Sequence, residues 1–210
     1  MIRETFPVGM LGCNCTILGD DATREAIVID PGADVPHILA VLARHELTVS
    51  KIVVTHAHFD HIAGALELKR LTGAPVLYNK ADLPLVAVLN QQPAWVGLRL
   101  PEAEAAPPDH SLEDNETLGV GDLQADVLLT PGHTPGSLCL HLPSEHLLLA
   151  GDTLFAGGVG RTDFPFGSTG ALLESIHDRL LPLPAETIVV PGHGPETTIG
   201  REAANNPFLT

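Results

Sequence analysis

Basic residues are scarce in this chain. Lys and Arg together number 11, against 26 Asp and Glu among 210 residues, and the formal net charge is −15. Nucleic-acid backbones and anionic membrane surfaces both reward clustered cations, so neither is expected as a partner. Aromatic residues make up 4% of the sequence, with one Trp and one Tyr. The core should therefore be aliphatic, and no stacking platform for bases is expected. Cysteine occurs three times, at 13, 15 and 139, and an odd count does not close a disulfide framework. The C-x-C spacing of Cys13 and Cys15 is too short for a typical zinc knuckle pair; both read as buried strand residues. No run approaches the eighteen or so apolar residues of a membrane helix. The opening MIRETFPVGMLG has an early acid and no apolar h-region, so a secretory signal is not expected. A reducing cytoplasm is the simplest compartment.

What is present is a globular, turn-rich composition: 44% apolar, with 20 Gly and 18 Pro. That length and content suit one domain, 1–210, with a sizeable core. ETFPVG, NCTILGD and EAIVIDPG read as short strands bounded by Gly, Asn, Asp and Pro. Val35, Ile38, Leu39 and Leu42 recur at helical steps behind Asp34, a candidate N-cap. SKIVVTH (50–56) reads as a strand buried on both faces. A helix is predicted over 61–73, ending at Gly73, and a strand over 75–79. Residues 81–110, broken by five prolines and mixed with acids, read as a short helix and an irregular loop, either a lid or a plain connector. Strands return from 117, a helix is predicted over 170–184, and a last buried strand over 187–194.

The sequence spends its histidines unevenly. Of the eleven in the chain, three fall in VVTHAHFDHIAG, as His56, His58 and His61 around Asp60. Neutral imidazole and carboxylate are ligands for zinc, iron and manganese. On an extended segment His56 and His58 share one side, while Asp60 and His61, at the helix start, point to a neighbouring place. Two adjacent, partly built metal positions are expected. VVTHAH is echoed by LLTPGH and VVPGH: each time an apolar strand delivers a histidine at its carboxyl end. His133, His193 and Asp152 in LLAGDTLF are the candidates that complete the shells. His37, His45, His110, His141, His146 and His177 lack such company and read as surface or packing residues, as does Tyr78.

Taken together, these segments resemble the metallo-β-lactamase superfamily. HAHFDH matches its H-x-H-x-D-H motif, with His133, Asp152 and His193 as the later ligands in order and Asp30 in IVIDPG as a supporting acid. The resemblance implies an α/β fold, an αββα sandwich of two mixed sheets flanked by helices. It assigns His56, His58 and His133 to a first metal, Asp60, His61 and His193 to a second, and Asp152 to both. The cofactors implied are two divalent ions, zinc first, with iron or manganese as alternatives. GGVGRTDFPFGS and PGHGPETTIGREAANNPFLT are similar to segments of glyoxalase II-like hydrolases, in particular short bacterial members. Full glyoxalase II enzymes carry a C-terminal helical domain with glutathione contacts. This sequence ends at Thr210, which leaves the thiol carrier open.

The reaction this implies is hydrolysis of a small-molecule thioester such as S-lactoylglutathione by a metal-bridging hydroxide, with Asp60 orienting the nucleophile. Two divalent ions, less two aspartates and one hydroxide, leave a locally positive centre in an acidic protein. Arg161 stands where glyoxalase II enzymes have a basic residue near the glutathione carboxylate; a salt bridge with Asp163 is the other reading. The main alternative is a persulfide dioxygenase of the same superfamily, with one iron at positions matching His56, His133 and Asp152. A lactonase, another metallo-hydrolase or a metal sensor stand behind these. Oligomeric state is not legible.

Overall fold

The computed structural model describes residues 1–209. They form two compact units: Met1–Leu112 with Gly119–Leu123, and Glu113–Leu118 with the chain from 124 onward.

The first unit holds a six-stranded mixed sheet of β1 (Ile2–Val8), β2 (Cys13–Gly19), β3 (Glu25–Ile29), β4 (Thr48–Val53), β5 (Val76–Tyr78) and β6 (His110–Ser111), in that order. β1 to β3 pair antiparallel, and β3 to β6 pair parallel. Parallel neighbours require crossovers. These are supplied by α1 (Val35–Arg44), then α2 (Phe59–Ile62) and α3 (Ala65–Thr72), then α4 (Leu83–Ala87) and α5 (Gln92–Trp95). The core is aliphatic, as the composition requires, with Ile17, Val28, Ile38, Leu42, Ile52, Leu68 and Leu85 among its members. Cys13 and Cys15 lie within it, and their thiols are free.

Three local expectations change here. Asp34 stands at the N-cap of α1, but its side chain does not cap. Pro36 offers no N–H, and the N–H groups of His37 and Ile38 already bond the Asp34 carbonyl, at 2.8 and 3.2 Å. The Asp34 carboxylate turns instead to the Gly9 N–H at 2.8 Å. The helix predicted over 61–73 starts earlier and is broken at Ala63–Gly64. A Cβ on Gly64 would stand 2.4 Å from the Pro31 carbonyl oxygen, so the chain bends where two backbones meet. Its end at Gly73, with φ of 77°, is as predicted. Finally, β4 is buried on both faces only toward its carboxyl end: Thr48 is exposed, Ser50 and Lys51 are half-buried, and Lys51 donates to the Gly119 carbonyl.

The other six-stranded sheet, most of it in the second unit, runs in the order β14 (Thr197–Thr198), β13 (Ile188–Pro191), β10 (Leu147–Gly151), β9 (Leu138–Leu142), β8 (Leu123–Leu129) and β7 (Thr117–Val120). β11 (Leu154–Phe155) and β12 (Gly158–Val159) form a separate hairpin. β8, β9 and β10 alternate in direction, and β10 pairs parallel with β13. The crossover is α6 (Thr169–Ser175), capped by Ser168, and the last helix is α7 (Ile199–Asn205). The helix predicted over 170–184 gives way after Ser175 to a wide π-type turn, Ile176–Leu180. Leu172, Ile176 and Leu180 are all fully buried. They recur every four residues and share one core-facing side.

Within each unit, parallel strand directions bring the candidate residues to a carboxyl edge, where α/β sheets place ligands. Asp30 follows β3, and the HAHFDH segment follows its parallel neighbour β4. His133, Asp152 and His193 follow β8, β10 and β13, which run in the same sense. No helix among the described residues is long and apolar enough to cross a membrane.

Candidate metal centre

The chain leaves β4 through a bend at Thr55 and His56 and is extended again at His58, so His56 and His58 turn to one place, as their spacing predicts. The result is a tight gathering of rings. His56 lies 4.9 Å from His58 and 4.0 Å from His61 between ring centroids. All three are buried. Asp60 Oδ2 stands 3.8 Å from His61 Nε2.

Asp30 organises this group. Its backbone sits at φ of 53°, and its carboxylate accepts the Thr55 N–H at 2.7 Å, the Thr55 hydroxyl at 2.8 Å and His61 Nδ1 at 2.9 Å. A carboxylate can only accept, so Nδ1 of His61 carries the proton and Nε2 keeps its lone pair. The same logic runs one step further. The Thr55 hydroxyl has donated its proton to Asp30, so it accepts from His56 Nδ1 at 3.1 Å. Cys13 Sγ lies 3.5 Å from His61 Nδ1, in a pocket where burial pushes the thiol up to about 12.

Two further side chains hold the backbone of the segment, and sequence reasoning missed both. Asp82 accepts the Ala57 N–H at 2.8 Å. Gln92 accepts the Phe59 N–H at 2.8 Å and donates to the Ala57 and Leu85 carbonyls. Both are buried to 1% exposure, which makes loss of those bonds expensive. Nothing local flags them, since each is one polar residue in a proline-broken stretch. They give residues 80–95 a positioning role, and the helical turns there followed by an irregular 96–109 match the short helix and loop expected. Trp95 completes this flank, with its ring edge-on to His58 at 6.5 Å.

The second unit contributes His133, Asp152 and His193. Asp152 Oδ2 is 3.5 Å from His133 Nε2 and 3.8 Å from His193 Nε2. His133 Nδ1 donates to the Arg161 carbonyl at 2.6 Å, again leaving Nε2 with the lone pair. This backbone role of Arg161 was not foreseen. Its guanidinium makes a two-pronged ion pair with Asp163, at 2.9 and 2.7 Å. Gly160 permits the close approach of that loop, for a Cβ there would lie 1.9 Å from the Asp152 carbonyl oxygen. In the first unit Gly32 does the same: a Cβ would lie 1.5 Å from the Asp60 carbonyl oxygen.

The donor set fits a metal. Histidines that ligate through Nε2 normally give their Nδ1–H to a carboxylate, carbonyl or similar acceptor, and His56, His61 and His133 all do so. A family model described as the metallo-beta-lactamase superfamily matches residues 8–193. The chain belongs to this superfamily. Among similar metallo-β-lactamase-like relatives, the probable metallo-hydrolase YqgX of Bacillus subtilis is 38% identical over 204 residues, 97% of this chain and 95% of its own. The hydroxyacylglutathione hydrolase GloC of Haemophilus influenzae is 36% identical over 208 residues, 98% and 97% of the two chains. Two solved structures cover both chains completely: BLEG-1 B3 metallo-beta-lactamase, with a TM-score of 0.90 and 38% identity, and TTHA1623 in a di-iron-bound form, with 0.87 and 36%. The metallo-β-lactamase fold expected from the motifs is thus established, with two mixed sheets and flanking helices.

The remaining histidines behave as packing and surface residues. His37 packs edge-on against Phe6, His45 bonds Glu4, and His141 is buried in β9. Tyr78 is buried and donates to the Ala106 carbonyl, and its phenol is pushed up to about 12 by burial.

Proposed function

We propose that this metallo-hydrolase cleaves thioesters of small thiols, S-lactoylglutathione being the representative substrate. His56, His58 and His133 would hold one divalent ion and Asp60, His61 and His193 a second, with Asp152 shared. Zinc is the first choice, and iron or manganese are compatible with an all-nitrogen-and-oxygen donor set. The observation that carries the reading is the tautomer control of three histidines by Asp30, through Thr55 for His56, and by the Arg161 carbonyl. The 36% identity to GloC over nearly the whole chain supports the thioester assignment.

When bound, such ions activate water at neutral pH and withdraw electrons from the carbonyl under attack. The chain's own residues do the rest. Asp30 and Thr55 fix the imidazole planes, and Asp82 and Gln92 fix the backbone between His56 and Asp60. Asp60 orients the attacking water through a carboxylate oxygen. A thiolate leaves readily, so no dedicated acid is required. Arg161, paired with Asp163, is the basic residue through which the thiol portion of the substrate would be met. We place the protein in the cytoplasm, where its three free thiols would stay reduced.

The test is metal analysis of purified protein combined with two assays. Two metals per chain together with hydrolysis of S-lactoylglutathione is the expected result. A single iron with oxygen uptake on glutathione persulfide would instead make the protein a dioxygenase.

A further inference from the structure

The β11–β12 hairpin joins two parts of the second unit's donor set. It begins just after Asp152 and returns through Gly160 to Arg161, whose carbonyl takes the His133 Nδ1 proton. Strands this short do not hold themselves. Leu154 and Val159 pack on the core, but apolar burial is non-directional and leaves the tip free to shift. The directional bonds come from α7. Glu202 of that helix, 1% exposed, accepts the Gly157 N–H at 2.8 Å, the Asn206 side-chain amide at 2.9 Å and the Thr197 hydroxyl at 2.5 Å. Asn206, fully buried, also donates to the Gly158 carbonyl at 3.0 Å. All three donors to Glu202 are neutral. A carboxylate buried in this way is costly unless its bonds are complete, and an apolar side chain would suffice there if the place served packing alone.

We propose that Glu202 is a positioning residue: by fixing the tip of the hairpin it sets the Arg161 carbonyl, and with it the ring of His133. This rests on the metal reading above, in which His133 is a ligand through Nε2. The two exits of the hairpin move together, since the Gly160 N–H bonds the Thr153 carbonyl at 3.3 Å. A tip that shifts at Gly157 therefore carries Arg161 with it. Once its carbonyl is displaced, the His133 proton can reside on either nitrogen, and only the tautomer with a bare Nε2 can ligate from that side.

The experiment compares the full wild-type chain with Glu202→Leu, Glu202→Gln and Ile199→Ala. Ile199 lies on the same helix, buried in the core, so its truncation destabilises the protein without removing a bond to the hairpin. Two quantities are read: zinc affinity by chelator competition, and exchange of the His133 Nδ1 proton with water in protein carrying 15N-histidine, with and without zinc. In Glu202→Leu zinc affinity should fall about tenfold, within the range for loss of a ligand's supporting bonds, and the ring proton should exchange faster. Glu202→Gln keeps an oxygen for Gly157 and Asn206 and should stay near wild type. Ile199→Ala should lower the melting temperature and move neither reading. Should Glu202→Leu not fold, Glu202→Asp withdraws the acceptor by one methylene and takes its place. Both readings unchanged on loss of Glu202, or equally changed in Ile199→Ala, overturn the proposal. A wild-type chain that binds no zinc overturns the metal reading instead, while the ring proton still decides whether Glu202 sets His133.

Discussion

His58 is the histidine on which the two readings of the chemistry divide. His58→Ala removes a ligand from the proposed first metal and should abolish thioester hydrolysis. An enzyme using one iron at His56, His133 and Asp152 would keep most of its activity, so the variant's turnover on each substrate separates them. Asp30 acts through others. Asp30→Ala leaves the Thr55 N–H, the Thr55 hydroxyl and His61 Nδ1 without their common acceptor in a buried place. Denaturant unfolding should show a loss of about 2–4 kcal/mol, and metal affinity should fall roughly 10–100-fold. Trp95, the single tryptophan, provides the titration signal from its place beside His58. The three thiols answer a different question. Burial raises Cys13 to about 12, Cys139 to about 11 and Cys15 well above its usual range. Each is neutral and inaccessible at pH 8, so a thiol reagent should label none in the native protein and all three in denaturant. Fast labelling without denaturant would contradict this packing. At this scale the sequence was readable where chemistry demands rare residues close together, as in HAHFDH, and silent where it needs one common residue. Thr55, Asp82 and Gln92 are such residues: their roles come from where the chain returns in space.

Among the elements, the run from residue 80 to α5 is the most instructive. Its prolines and short turns suggested a connector or a lid, yet its buried ends brace the HAHFDH backbone. Gln92→Leu preserves bulk but strands the Phe59 N–H and the Ala57 and Leu85 carbonyls. It should cost about 3 kcal/mol of stability, together with weaker metal retention under chelator competition. Unchanged metal retention would show that the brace serves stability alone. The helices teach a related lesson. Apolar periodicity located α1 and α6 correctly, because spacing alone decides which face is buried. It missed the break at Gly64 and the wide turn after Ser175. The first follows from a backbone contact with Pro31; the second is a local widening at Ile176–Leu180 that apolar spacing does not register. The cause of the break lies outside the local window.

The whole chain carries −15 formal charges, and divalent cations should meet little long-range resistance in reaching it. Metal that binds only the native state stabilises it by mass action. Free zinc at 100 times its dissociation constant should add about 2.7 kcal/mol to unfolding, and a chelator should reverse the gain. A melting temperature indifferent to both would count against native-state metal binding. The order of the motifs from Asp30 to His193 carried the family resemblance that implied the fold class, and each motif marks the carboxyl end of a strand. The pairing that aligns those ends has a consequence for biosynthesis. Asp30 meets His61 across 31 residues, and Asp152 meets His193 only once the parallel pairing of β10 with β13 has closed around α6. Such long-range closures come late. As the chain leaves the ribosome, His56, His58 and His61 are therefore in the open well before His193 has been translated. Any metal they met at that stage would be held only loosely, so full loading would await the folded chain.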